Sequence, residues 1–201
     1  MKRFEVAGYD MPCVDLAVNV DVFPKPNGGT GVRAMSWQGG GKVASGMVAS
    51  ARLGARCAML GAVGSDEYGQ FCLRDFERHG IDVAGMKTRE GETTSLSIVI
   101  SDRETNGRTI VYRHGTAQPP AFEELDQEVL EDCQWFFISH VTAVSLEAMR
   151  RAKAGNDIIA HAFAKSNPPV LPLLFRPALP LLYKCGFSRW YAATLPKRGP
   201  A

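Results

Sequence analysis

Apolar and polar positions along this chain alternate between a two-residue and a helical period. Residues 4–8 (FEVAG) are a short apolar run closed by glycine, the pattern of a buried strand. Residues 15–23 (DLAVNVDVF) alternate apolar and polar positions, as a half-buried strand does. Residues 24–31 are rich in Pro, Gly and Asn and read as a loop. The spacing then predicts a helix of small residues over 42–53, with Gly54 as its stop signal. Residues 56–64 (RCAMLGAVG) predict the next buried strand. Residues 66–79 (DEYGQFCLRDFERH) predict an amphipathic helix, with Asp66 and Glu67 favouring its N-terminus and Gly80 ending it.

The texture then becomes β-rich. Residues 93–101 (TTSLSIVIS) and 108–113 (RTIVYR) flank DRETNG, in which Asn106-Gly107 is a strong hairpin signal. A helix is expected over 122–130, a strand over 135–139 (WFFIS) and a helix over 145–153. Strands alternating with helices predict an α/β fold with a parallel, helix-covered sheet. The hairpin between Gly80 and Gly115 interrupts that alternation as an excursion from the sheet.

The last segment breaks the pattern. From residue 157 onward the only acid is Asp157, while the other 20 of the 21 acids lie earlier. Seven of the 12 prolines fall here: Pro168, Pro169, Pro172, Pro177, Pro180, Pro196 and Pro200. That density forbids a continuous helix or central strand in PPVLPLLFRPALPLL, yet the run is too apolar for an ordinary linker. Residues 1–155 therefore read as one domain and 156–201 as an atypical Pro-rich, basic tail. Two origins stay open for the tail: an out-of-frame or misassembled gene end, or a genuine, loosely packed and disordered extension.

Composition narrows the class. The chain has 201 residues, 45% hydrophobic and 22% charged, as soluble globular proteins do. A net charge of +2 is too small to argue for nucleic acid or an anionic membrane surface. The start, MKRFEVAGYD, has no apolar signal region, and no long uncharged apolar run suggests a spanning helix. Cysteines 13, 57, 72, 133 and 185 form no C-x-x-C and have no metal-ligand spacing. The expectation is a cytoplasmic protein with buried thiols.

Candidate chemistry centres on GGGKVASGMVASARLG, residues 39–54. A Walker A loop needs G-x-x-x-x-G-K-[ST], but Ser36 and Val43 break it at both ends. A dinucleotide fingerprint needs its glycines directly after the first strand, and these come too late. The third reading is a glycine turn that lets a polyhydroxylated ligand approach the backbone, with Lys42 and Ser45 facing its hydroxyls at a helix N-terminus. The bland reading is a tight turn at Gly39–Gly41 followed by a helix that packs on the sheet. Spacing alone leaves these two open.

The stretch GGKVASGMVASARLGARCAMLGAVGSDEYG (residues 40–69) resembles the first motif of the PfkB, or ribokinase-like, carbohydrate kinases. Gly40-Gly41, Ala51-Arg52-Leu53-Gly54 and the G-x-D-x-x-G run from Gly64 to Gly69 carry that resemblance. CVDLAVNVDVFP (residues 13–24) is similar to the family's first strand and the approach to its lid. The resemblance implies a three-layer, Rossmann-like α/β domain with a small β lid. It also implies phosphorylation of a sugar or nucleoside hydroxyl, with ATP and Mg2+ as cofactors. Asp15 falls where the family binds sugar hydroxyls, and Gly40, Gly41, Lys42 and Ser45 form the acceptor side. Arg113, at the end of a lid strand, is a candidate for an anionic sugar or phosphate.

Two departures qualify the resemblance. Ser45 stands where the family often has Asn, a longer side chain that both donates and accepts, so the sugar preference is expected to differ. The family's second motif, D-T-x-G-A-G-D, which supplies the anion hole and catalytic base, is absent from the sequence, as is its N-x-x-E element. No catalytic base is therefore assigned, and Asp102, Glu104 and Asp157 read as solvated loop residues. The chain is expected to be truncated relative to the family and weakly active or inactive. The alternative is a non-catalytic sugar-binding module, or one that forms a homodimer through the lid. Asp10 and Asp21 are weaker ligand candidates than Asp15. The histidines read as structural or surface residues, although Ser139-His140 follows a strand end, where α/β sheets place ligand contacts.

Overall fold

A computed structural model describes residues 2–155 and 158–161. In chain order the elements are β1 (Phe4–Tyr9), β2 (Cys13–Val20), β3 (Val32–Gly40), α1 (Lys42–Arg52), β4 (Cys57–Gly64), α2 (Glu67–Arg78), β5 (Met86–Arg89), β6 (Ser95–Asp102) and β7 (Arg108–Arg113). A 3₁₀ turn (Phe122–Glu124), α3 (Gln127–Glu131), β8 (Cys133–Ile138), α4 (Ala143–Gly155) and β9 (Ile158–His161) follow. The expected tail lies outside the described residues apart from the backbone of β9.

The strands form two sheets. The larger runs β5-β4-β1-β8-β9 and every pairing in it is parallel. Its interior strand β4 is apolar throughout because both faces are covered, and residues such as Met59 and Leu60 are wholly buried. One face packs Met47 and Val43 of α1 and Phe76 of α2 against Val6, Met59 and Phe137. The other packs Leu130 and Met149, from α3 and α4, against Phe4, Phe136 and Ile138. Each such large side chain contributes roughly 1.5–3 kcal/mol by leaving water.

The smaller sheet is the lid, in the order β3-β2-β6-β7. Two antiparallel hairpins, β2–β3 and β6–β7, are joined by parallel pairing of β2 with β6. Val14 of the lid roots it to the body through Val63 and Cys72, with Leu96, Tyr68 and Phe71 around them.

The fold class matches the expectation, and several details correct it. The strand expected over 15–23 belongs to the lid sheet and spans Cys13–Val20. The lid is therefore two excursions from the main sheet, of which only the second is a β-rich run readable from sequence. The first needs β3, whose nine residues have irregular alternation and end in two glycines. Gly39 and Gly40 extend that strand, and the turn is made by Gly41 alone, at φ 109°. The helix expected over 122–130 breaks at Asp126, which caps a new helix by accepting from the Glu128 and Val129 amides. The hairpin signal holds at Asn106, which adopts φ 53°, but the loop is longer than a two-residue turn and runs from 103 to 107.

Candidate functional site

Strand pairing places four polar residues of the lid on one face. Asp15 pairs directly with Gln38 on β3 and with Ser97 on β6, and Ser97 pairs with Tyr112 on β7. Side chains at paired positions share a face, so Gln38, Asp15, Ser97 and Tyr112 form one row across four strands. The neighbouring row, Trp37, Leu16, Ile98 and Val111, points to the opposite face and is apolar.

Asp15 lies within this row, near the start of β2. A Cβ at Gly40 would sit 2.5 Å from Asp15 Oδ2, so only glycine lets the backbone of β3 approach the carboxylate this closely. Cys13 Sγ is 3.6 Å from Asp15 Oδ1. Burial first, and the Asp15 charge second, push the Cys13 thiol up to about 12.

Helix α1 begins one residue after Gly40–Gly41. Lys42 and Ser45, in its first turn, are exposed. Gly41 provides no side-chain cap and the first turn has no acidic residue. The missing negative charge comes from Asp10, just past β1, whose Oδ2 accepts from the Val43 amide at 3.4 Å. The same carboxylate accepts from the Met11 amide at 2.9 Å and from Ser139 Oγ at 2.9 Å. Asp10 also acts on its neighbour: burial first, then the Asp10 charge, raise the Tyr9 phenol above its ordinary value.

The predicted residues therefore divide. Asp15, Gly40 and Gly41 are neighbours at the lid root, and Lys42 and Ser45 follow on the helix that starts there. Arg113 is not brought to them. It pairs with Leu96, which pairs with Val14, so the pleat turns it to the face opposite Asp15. There its guanidinium lies 5.7 Å from the centre of the Tyr68 ring, which also stacks on Trp37. Asp21 pairs with Arg33 at the exposed outer end of the lid, at 2.6 Å. Asp10 is the group that spacing undervalued. Its signal was an acid directly past the first buried strand, with Ser139-His140 past another.

Among the described residues, no group of three or more His, Cys, Asp or Glu side chains is placed to hold a metal ion. No helix among them is long and apolar enough to cross a membrane.

A parallel sheet covered by helices on both faces, with a β lid at its carboxyl edge, defines a ribokinase-type fold. Residues 1–185 match the pfkB family carbohydrate kinase profile, and the chain belongs to that family. It is 28% identical over 129 residues to a 5-dehydro-2-deoxygluconokinase of Clostridium beijerinckii, covering 60% of this chain and 38% of the relative. It is 32% identical over 98 residues to a nucleoside kinase of Methanothermobacter thermautotrophicus, covering 49% of this chain and 32% of the relative. Among solved structures, ribokinase from Thermotoga maritima superposes with a TM-score of 0.63 at 22% identity, over 79% of this chain and 52% of that one. The chain thus spans less than half the length of these curated relatives.

Proposed function

We propose that the described residues are the acceptor-binding part of a PfkB-type kinase, the part that holds a sugar or nucleoside hydroxyl for phosphorylation. The observation that carries this is the Asp15–Gly40 approach: a carboxylate held against a bare backbone, within a polar row on a lid. A carboxylate accepts two ligand hydroxyls at once, and the absent Cβ leaves room for the carboxylate against the β3 backbone. The exposed first turn of α1 adds Lys42 and Ser45, whose amine and hydroxyl supply donors. Arg113 has no part in this pocket.

ATP supplies the transferred phosphoryl group in this chemistry and Mg2+ offsets its charge. Asp15, Lys42 and Ser45 suit an acceptor, and among the described residues no group of three or more His, Cys, Asp or Glu side chains is placed to hold a metal ion. The 201-residue chain carries no D-T-x-G-A-G-D motif. On this reading it binds acceptor and has little phosphoryl-transfer activity alone.

Calorimetry of the whole chain against D-ribose, D-fructose and adenosine tests the binding. Asp15→Ala is expected to weaken it about tenfold or more, since hydrogen bonds to a charged group are worth about 1.5–3 kcal/mol. Unchanged binding by that variant would remove Asp15 from the site. An ATP-dependent phosphorylation assay checks activity, and turnover at ordinary enzyme rates would refute the inactive reading.

The opposite face of the lid favours a second reading. Met35 is 63%, Trp37 47% and Val111 57% exposed, and all three lie on the apolar face. Exposed apolar surface of this kind marks an interface, and a second copy of the chain would cover it. Trp37→Asp together with Val111→Asp is then expected to convert a dimer to a monomer in sedimentation. A wild-type monomer at high concentration would rule this out.

A further inference from the structure

Three side chains at the carboxyl edge of the main sheet form a hydrogen-bonded chain that the acceptor pocket above does not use. Asp10 follows β1, and Ser139 and His140 follow β8. β1 and β8 are adjacent, and the chain builds outward from β1 through β4 and β5 before returning to β8. The order of connections reverses between them, and open α/β sheets bind ligands outside the carboxyl ends at such a reversal.

The proton count in this chain is determined. Ser139 is 3% exposed, and its Oγ lies 2.9 Å from Asp10 Oδ2 and 2.8 Å from His140 Nδ1. A serine hydroxyl carries one proton, and a carboxylate only accepts. Ser139 therefore donates to Asp10, and its oxygen is left to accept from His140. Nδ1 must then carry a proton, and Nε2 of the neutral ring carries a lone pair. His140 itself is exposed. The carboxylate that begins this relay also binds the first turn of α1, through the Val43 amide. One carboxylate thus bonds both the first turn of the helix that bears Lys42 and Ser45 and, through Ser139, the His140 imidazole.

We infer that Asp10 and Ser139 are positioning residues that hold His140 as its Nδ1–H tautomer, so that Nε2 accepts a hydrogen bond from a hydroxyl of the bound sugar or nucleoside. The tautomer stands on the geometry alone, and the ligand contact rests on the acceptor-site reading proposed above. His140 then supplies an acceptor on the sheet side of the ligand, as Asp15 does on the lid side. Ligands that lack a hydroxyl there leave Nε2 unpaired and bind less well.

The test uses the full chain labelled with 15N-histidine. Long-range 1H–15N correlation at pH about 8, where an ordinary imidazole is neutral, reads the tautomer directly. The expected result is Nδ1–H at His140, reverting to Nε2–H in Ser139→Ala. An Nε2–H tautomer in the wild type overturns the relay. Titration with D-ribose, D-fructose and adenosine is then expected to shift the Nε2 resonance for the ligand that binds. His140→Phe should weaken that ligand about fivefold, and His140→Gln, which keeps an acceptor, should recover most of the loss. If Asp15→Ala abolishes binding while His140→Phe leaves it unchanged, the His140 contact is refuted and the acceptor site stands. If none of the probes binds the wild type, the acceptor-site reading fails and the ligand contact fails with it, while the tautomer is judged by its own spectrum.

Discussion

Gly40 and Asp15 meet at a distance that admits no side chain on Gly40: an added Cβ would lie 2.5 Å from Asp15 Oδ2 and 2.6 Å from its Cγ. The atoms it would strike belong to a side chain that can rotate. Gly40→Ala is therefore expected to turn the Asp15 carboxylate away and leave the fold standing. Acceptor binding should fall about as far as in Asp15→Ala, while the melting midpoint moves by only a few degrees. Calorimetry and a thermal melt on the same sample check this. Wild-type affinity in Gly40→Ala would show that the carboxylate's position does not matter.

Asp66 ties α2 to the lid. Its Oδ1 accepts from the Gly69 amide at 2.9 Å, capping the helix, and its Oδ2 accepts from the Thr94 amide at 3.0 Å, just before β6. Removing both bonds in Asp66→Ala should cost about 2 kcal/mol, because a lost cap costs about 1 and the Thr94 amide is left without its acceptor. Asp66→Asn keeps one acceptor oxygen and should cost less. Urea unfolding of the three proteins gives the ranking.

Glu124 sets an acid limit. The Arg89 guanidinium, bonded at 2.7 and 2.8 Å, and then the Ala121 amide hold its carboxyl down to about 2. A free glutamate titrates near about 4.3. A carboxyl lowered on folding stabilises the fold fully above its unfolded value. That contribution is lost as pH falls through the window from about 4.3 to about 2. In Glu124→Gln the urea midpoint should depend less on pH across that window. An unchanged slope would show that the pair has no effect on stability.

The four thiols of the described residues should be inert in the folded protein. Burial pushes Cys72 and Cys13 up to about 12, and Cys57 and Cys133 up to about 11. The thiolate is the reactive form, so alkylation at pH about 8 should be slow at all four sites and fast after unfolding. Peptide mapping after a timed iodoacetamide pulse reads each site separately.

The parts legible in the sequence were those in which one face, or both, is buried in the body of the domain. Residues 4–8, 56–64 and 135–139 announced parallel strands because two covered faces demand unbroken apolar runs. Asp66 announced a helix start because an acid satisfies free amides there. β3 was missed because no burial disciplines it: Val32, Met35 and Trp37 are exposed, and its two glycines serve close approaches to Asp75 and Asp15, both far away in sequence. The break at Asp126 was missed because the apolar spacing runs on through it. In the candidate site, Asp15, Gly40 and Gly41 were legible through a motif. The Asp10–Ser139–His140 chain was not, because hydrogen bonds across parallel neighbours leave no spacing to read. Arg113 was drawn to the site by its place at a strand end, and the pleat turned it away.

The parallel seam between β2 and β6 has a consequence for how the protein comes into being. Cys13 pairs with Ser95 and Val20 with Asp102, so the lid cannot close until the intervening α1, β4 and α2 have been made. Contacts this distant in sequence are slow to form, because the loop entropy is lost before the pairing repays it. On a growing chain β2 and β3 emerge early as an isolated hairpin, which is marginal alone in water. They wait for β6. The surface proposed to grip the acceptor thus assembles only after α1, β4 and α2 have emerged, although its first strand is among the earliest parts of the chain to be made.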